Sequence, residues 1–371
     1  MDFTLSEEQQ AIAELADTIL GERCAPDALR TVEAGPGDLA ADAWKAVAAA
    51  DLLGLALPES AGGSGLGIVE AALVAQKVGR HVAPLPYWTS TAAALAIARW
   101  GSEAQQARWL PGVANGSATL AVGLWSPVDS GEIGARPVAG EGDWALHGTA
   151  APVPWAGEAA AVVVPAQTDA GPGLFVVDLA TEGVTRVDEQ AINHEPAQTI
   201  TFAGAAAEPL GTPGDEAVAW STLRARALLG ATMLGVCEGA LALTAGYVTE
   251  RHQFGSPIGT FQAVAHRCAD AYVDTEAIRL TNLQALWQLD QGTHAAVDAT
   301  DAVAVATFWA TDGGHRVVHA AQHLHGGIGM DVDYPIHRYF RWEKVLEAQL
   351  GGTHVALARL GASIAGSTVA H

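Results

Sequence analysis

Cysteine is scarce in this chain. Its 371 residues include only three, Cys24, Cys237 and Cys268, widely spaced. An odd, sparse set speaks against a disulfide framework and reads as reduced cytosolic thiols. Positive charge is also short. There are 19 Lys and Arg against 41 Asp and Glu, so the formal net charge is 19 − 41 = −22. That balance argues against nucleic acid and anionic membrane surfaces as partners. Met1-Asp2-Phe3-Thr4 has neither a basic n-region nor an apolar h-region. No secretion signal is predicted, and a cytoplasmic location follows. Apolar runs stop short of about 18 residues without a charge or a breaker, which predicts no membrane-spanning helix.

What is present is apolar bulk in a definite order. Half the residues are hydrophobic, and the length suits two or three packed units. Residues 1–115 read as helical, opening on a capping box at Thr4-Leu5-Ser6-Glu7 and a periodic segment through Leu20. Further helices are expected over Ala40–Ala50, Ile68–Gly79, Ser90–Trp100 and Ser102–Leu110. Across 116–215 short apolar runs alternate with Gly, Pro and Asp, and turn signals recur about every ten residues, which predicts a β-domain. Residues 216–371 return to long Ala- and Leu-rich helices: Trp220–Glu250, Thr260–Leu289, Ala295–Leu324, Pro335–Leu350 and Thr353–Ile364. Short connections between long helices predict a four-helix bundle with terminal pieces. The fold class is α+β.

Between the first two of those long helices lies Arg251-His252-Gln253-Phe254-Gly255-Ser256-Pro257-Ile258-Gly259-Thr260-Phe261-Gln262. Gly255, Pro257 and Gly259 break the helical pattern and predict a tight turn. The turn also carries a cation, an aromatic and two amides. Together they can grip something flat, polar and anionic: Arg for a phosphate, Phe for a ring face, Gln for a base edge. The plain alternative is an Arg paired to a local carboxylate and a Phe capping the bundle core. A second stretch, His323-Leu324-His325-Gly326-Gly327-Ile328-Gly329, suits close backbone approach to a ligand, or simply a helix C-cap. Leu57-Pro58-Glu59-Ser60-Ala61-Gly62-Gly63-Ser64-Gly65 is either a family-like turn or a flexible connector.

The pattern R-x-x-F-G-x-x-I-x-x-F-Q, followed by the Gly326-Gly327 stretch, resembles the acyl-CoA dehydrogenase family over nearly the whole chain. The resemblance implies the acyl-CoA dehydrogenase fold, FAD as cofactor and an acyl-CoA substrate. In that family each FAD lies between two subunits, one β-domain holding the isoalloxazine and the other subunit's bundle the ADP. By resemblance Arg251 meets the pyrophosphate, and Gln253 and Phe254 line the adenosine. Ile258 and Gln262 sit near the adenine end, and His323, Gly326, Gly327 and Thr353 complete the cofactor contacts. The family usually has Gln where this chain has His323, with Gln322 beside it.

Other family signatures are missing. The flavin-side T-E-P-x-x-G-S-D corresponds to Leu124-Trp125-Ser126-Pro127-Val128-Asp129-Ser130-Gly131-Glu132, where only Pro127 survives. The G-x-K-x-W-I-T signature corresponds to Gly148-Thr149-Ala150-Ala151-Pro152-Val153-Pro154, with Pro in place of both the ring-covering Trp and the ring-bonding Thr. Proline also removes backbone donors. The usual base precedes the Gly of a Y-E-G-T stretch, and Leu350-Gly351-Gly352-Thr353 puts Gly351 there. The alternative base position, in the helix before the Arg turn, falls at about Ala225, between Arg224 and Arg226. No catalytic residue is therefore expected in this chain. Keeping the ADP contacts while losing ring contacts and base resembles the base-less subunits of heteromeric bacterial steroid side-chain acyl-CoA dehydrogenases. Those are α2β2 tetramers in which FAD is shared with a catalytic subunit. Asp331, Asp333, Tyr334-Pro335, His337-Arg338 and Arg341 add to that likeness.

Three rival readings stand beside this one. His315, His319 and His323 recur every four residues on one helical face, with His325 close by, a spacing that can bind Zn. No carboxylate or Cys joins that pattern, and no metal is expected. A homo-oligomeric acyl-CoA dehydrogenase or oxidase-like flavoenzyme with a displaced base is the alternative function. A purely structural relative is the third.

Overall fold

The computed structural model describes residues 3–35, 40–124, 132–138, 144–291 and 296–369. Helix α1 (Glu7–Arg23) starts two residues later than the expected capping box. Ser6 is the N-cap, its hydroxyl accepting from the Gln9 N–H while the Gln9 side chain accepts from the Ser6 N–H. Gln at the third helical position closes the box, so the Thr4–Glu7 pair is not the one used. Helix α2 (Pro26–Glu33) was not expected; its signal is a proline at the first helical position, where the missing N–H costs nothing. Helices α3 (Ala41–Ala49), α4 (Ile68–Arg80), α5 (Tyr87–Trp100) and α6 (Glu103–Ala114) follow the periodicity, α6 running on through Pro111.

The strands are β1 (Thr119–Val122), β2 (Gly134–Pro137), β3 (Trp144–Pro154), β4 (Ala159–Thr168), β5 (Gly171–Asp178), β6 (Val184–Gln190) and β7 (Pro196–Leu210). Their order is β1-β4-β2-β3-β7-β5, with β6 on β7 and β5 also on β4. Because β5 pairs with both β4 and β7, the sheet closes on itself and hides those edges. Leu146, Val153, Val162, Val164, Phe175, Val177, Ile200 and Phe202 fill its inside.

The chain then returns to helix: α7 (Ala217–Glu250), a two-residue-strand hairpin of β8 (His252–Gln253) and β9 (Ser256–Pro257), α8 (Gln262–Asp290) and α9 (Ala296–Phe308). A π-helical turn, Trp309–Gly313, leads into α10 (Gly314–His325). A 3-10 turn, Gly326–Met330, precedes α11 (Ile336–Leu350) and α12 (Gly352–Val369). Helix α7 is long and apolar enough to cross a membrane by length and composition, with a mean hydropathy of 1.6 over its best window. Yet 78% of that window is buried, as in a core helix.

The residues form two compact units, one of 1–30, 72–83 and 226–371, the other of 31–71 and 84–225. In the first, α4 and α7 touch backbone to backbone. A Cβ on Gly79 would lie 1.9 Å from the Thr232 carbonyl oxygen, and one on Gly235 1.8 Å from that of Gln76. Around this contact Asp17 gathers His81 at 3.0 Å, Arg80 at 3.4 Å and Lys77 at 3.6 Å, while Glu238 accepts from Gln76 at 2.8 Å. In the second unit the Pro58–Gly65 stretch is an ordered turn rather than a flexible connector. Five backbone hydrogen bonds hold it, and a Cβ on Gly63 would lie 2.3 Å from the Leu57 carbonyl oxygen.

Candidate nucleotide-binding site

The Arg251 turn is a β-hairpin. His252 pairs with Pro257 and Gln253 with Ser256, leaving Phe254 and Gly255 as a two-residue loop. Both loop residues have positive φ, 54° and 83°, as such tight loops demand. Gly255 adopts this freely; Phe254 does so at a cost of about 1–2 kcal/mol. The Ile258 N–H donates to the Arg251 carbonyl at 2.8 Å, and the Gln253 amide donates to the His252 carbonyl at 2.7 Å. Phe254 is 94% exposed and meets Phe261 edge to face, at 6.1 Å between centroids. Arg251, Gln253 and Gln262 are exposed and Ile258 is half-buried. Among the described residues no carboxylate pairs with Arg251. The plain alternative, a paired Arg and a core-capping Phe, is therefore not what the chain builds.

The second motif caps α10. Gly326 has φ 59° and ψ −134°, a conformation open essentially to glycine alone, and its N–H donates to the His323 carbonyl. Gly327 is different: its φ is ordinary and a Cβ there would meet nothing within 4 Å. Neither space nor backbone demands glycine at 327, which leaves an open surface where a ligand can come close. His323 is exposed one turn earlier. Tyr247 ties this turn to the hairpin. Its carbonyl accepts the Arg251 N–H at 2.9 Å, its hydroxyl donates to the His325 carbonyl at 3.4 Å, and its ring stacks on His325 at 4.5 Å. No single-sequence pattern pointed to Tyr247, although it lies one helical turn before Arg251.

Thr353 lies in the first turn of α12, where its hydroxyl donates to the Thr311 hydroxyl at 3.3 Å in the π-helical turn. Gly351, expected from the resemblance to stand at the base position, has φ 92° and is the left-handed C-cap of α11. Its neighbour Gly352 is also left-handed, at 76°. Any larger residue at 351 would be strained there. Ala225 is fully buried, and Glu238, the nearest acid downstream, is engaged by Gln76 and Arg80. On the β-domain side, Trp125–Gly131, and with them Pro127, lie outside the described residues. Pro152 and Pro154 end β3, and Trp155 follows with φ 61° and a fully buried ring. The Trp155 indole N–H donates to Glu195 at 3.2 Å, and the Asn193 amide donates to the other carboxyl oxygen at 2.8 Å. Burial pushes the Glu195 carboxyl up to about 7 despite these two donors.

The histidine stripe acquires carboxylates from another helix. His315, Glu343 and Glu347 bring ligand atoms within 4.8 Å of one another. The Lys344 ammonium already lies 2.8 Å from His315, 2.9 Å from Glu343 and 3.1 Å from Glu347, so a side-chain cation occupies the centre. His319 stacks on His315 at 4.2 Å, and His325 belongs to the tyrosine cluster instead.

Comparison with known proteins settles the family. The acyl-CoA dehydrogenase N-terminal domain matches residues 6–117, and the C-terminal domain matches residues 214–365. This chain belongs to the acyl-CoA dehydrogenase family. Acyl-CoA dehydrogenase FadE27 of Mycobacterium tuberculosis is 37% identical, with 98% of this chain and 99% of the relative covered. FadE28 of the same organism is 33% identical over 98% of each. Among solved structures, a variant of the Tcur3481-Tcur3483 steroid ACAD superposes with a TM-score of 0.93 at 42% identity, covering 99% of this chain and 100% of that one. The ChsE4-ChsE5 complex from Mycobacterium tuberculosis gives 0.93 at 36% identity, covering 98% and 99%. The acyl-CoA dehydrogenase fold, helical at both ends around a central sheet, is thus established.

Proposed function

We propose that this chain is the nucleotide-holding, base-less subunit of a heteromeric FAD-dependent acyl-CoA dehydrogenase. The complex forms an α,β double bond in an acyl-CoA, and the acyl group is a steroid side chain. The observation that carries this reading is the Arg251 hairpin, which spends backbone strain to present Phe254 to solvent beside a cation with no carboxylate partner among the described residues. Such a tip suits an anionic, flat ligand end such as the ADP of FAD. Arg251 meets the pyrophosphate, Gln253 and Phe254 the adenosine, and Ile258 and Gln262 its adenine end. His323, Gly326, Gly327 and Thr353 make up the rest of the half-site. Bound FAD supplies the hydride acceptor. This chain contributes no proton acceptor: Gly351 and Ala225 stand at the two base positions. Its β-domain offers prolines where the ring contacts belong, so the ring and the base come from a catalytic subunit in an α2β2 assembly. The steroid substrate and the paired arrangement rest on likeness to the steroid ACAD and to the ChsE4-ChsE5 complex. The assembly works in the cytoplasm.

The test is flavin per chain, from visible absorbance, for the protein alone and co-expressed with a catalytic partner. Little flavin alone, rising to about one FAD per pair of chains, is expected. One FAD per chain in the isolated protein would instead mean a self-sufficient homo-oligomeric flavoenzyme. Arg251→Ala is expected to weaken FAD binding in the complex about 10- to 100-fold, the loss of a charge-assisted contact.

A further inference from the structure

His325 is almost wholly buried, at 2% exposure, yet it lies directly before the exposed Gly326-Gly327 turn. Its ring packs against two tyrosines that also meet each other, at 6.2 Å between centroids. Tyr247 from α7 stacks at 4.5 Å and 23°, and Tyr334, just before α11, lies at 5.2 Å and 52°. Its Nδ1 is 2.8 Å from the Ala321 carbonyl, so Nδ1 carries the proton. Its Nε2 is buried and has no hydrogen-bond partner among the described residues. An apolar residue would fill such a slot without leaving a bare nitrogen, so packing alone does not account for an imidazole.

We infer that His325 is a positioning residue that couples the Gly326-Gly327 turn to the Arg251 hairpin through Tyr247. The geometry is a short chain of contacts. The Ala321 carbonyl fixes the imidazole plane, the imidazole stacks on Tyr247, and the Tyr247 hydroxyl holds the His325 carbonyl from which the turn departs. One helical turn on, the Tyr247 carbonyl accepts the Arg251 N–H. The two motifs are 75 residues apart in sequence, from Arg251 to Gly326, and this stack sets their relative place. The inference rests on the proposed ADP half-site.

The working form is neutral. Burial holds the His325 imidazole below the ordinary value of 6.5. The groups that face it are Tyr247 and Tyr334, with Glu250 acting on Tyr334; no facing carboxylate stabilises an imidazolium among the described residues. A proton on Nε2 would create a buried donor with no acceptor and disturb the stack.

The experiment measures FAD affinity of the reconstituted complex for wild type, His325→Phe, Tyr247→Phe and Arg251→Ala, at pH 8 and stepwise down to pH 5. His325→Phe keeps a ring but loses the Ala321 anchor, and is expected to bind FAD about tenfold more weakly at pH 8. Tyr247→Phe, the milder change, should cost about threefold. The gap between wild type and His325→Phe should narrow as pH falls through the His325 value, which burial holds below the ordinary 6.5, because wild type itself then becomes protonated. Wild-type affinity in both variants at pH 8, with FAD lost in Arg251→Ala, overturns the positioning role and leaves the half-site intact. A pH-independent gap also overturns it, because packing alone would then explain the loss. Unchanged FAD affinity in Arg251→Ala overturns the half-site itself.

Discussion

Among the described residues two large aromatics, Trp155 and Phe254, adopt left-handed backbone, and they use it in opposite ways. Trp155, in the β-domain, has φ 61° and no exposed surface; Phe254, at the hairpin tip, has φ 54° and is 94% exposed. The backbone cost is similar in both, about 1–2 kcal/mol. At Trp155 it is offset within the unit, by burial of the largest side chain and by the hydrogen bond to Glu195. At Phe254 the described residues offer only an edge contact with Phe261 to offset it. A strained residue with its compensation in place is structural, whereas one without it points outward to a ligand or a partner. The strand end turns an indole into its own core, while the hairpin shows its aromatic to solvent.

That contrast can be tested, beginning where the effect is largest. Trp155→Ala should destabilise the protein by about 3–5 kcal/mol in denaturant unfolding, the usual cost of emptying a buried tryptophan site. A loss below about 1 kcal/mol would mean that burial does not offset the strain. Glu195 comes next. Its folded value of about 7 lies above the ordinary 4.5, so the folded state keeps its proton longer than the unfolded state. The stability this contributes is complete below pH 4.5 and is lost as pH rises to 7, up to about 3 kcal/mol. Glu195→Gln should flatten that segment of the stability–pH curve. An unchanged slope in the variant would show that the carboxyl is solvated and ionised.

Phe254→Gly should act in two directions. Relief of the left-handed strain should raise the stability of the isolated chain by about 1 kcal/mol, while FAD retention in the complex falls. A variant that is stabilised and retains FAD fully would remove the aromatic tip from the site. Gly327→Ala should be the smallest change to stability, within about 0.5 kcal/mol by thermal unfolding, since its Cβ meets open space. Weaker FAD retention despite that unaltered stability would sharpen the case for backbone approach. Gly326→Ala is its counterpart, costing about 1–3 kcal/mol through its backbone geometry alone.

The hairpin illustrates how much was legible beforehand. Gly255 and Pro257 marked the turn, because special backbone geometry is written in residue type; Arg251 and Phe254 give the turn the chemistry on which the proposed function rests. The capping residue was misplaced by two positions because Thr4 and Ser6 both offer a hydroxyl, and only the position of Gln9 decides between them. Helix α2 was missed because eight residues carry too little periodicity to stand out. Glu343 and Glu347 reach His315 from α11, 28 and 32 residues further along, beyond any local spacing rule. Trp155 was illegible for a different reason: nothing in a tryptophan announces positive φ.

By itself the sequence determined the order helix, sheet, helix, through hydrophobic period and turn residues. It also marked the Arg251 turn and the Gly326-Gly327 turn, since their glycines and proline are local necessities. Tertiary structure alone decided that Phe254 faces solvent while Trp155 is buried, that Lys344 fills the histidine–glutamate cluster, and that Tyr247 and His325 join the two motifs. These are long-range outcomes. They depend on which helices pack together and which side chains lose water there, and no window along a single chain encodes that.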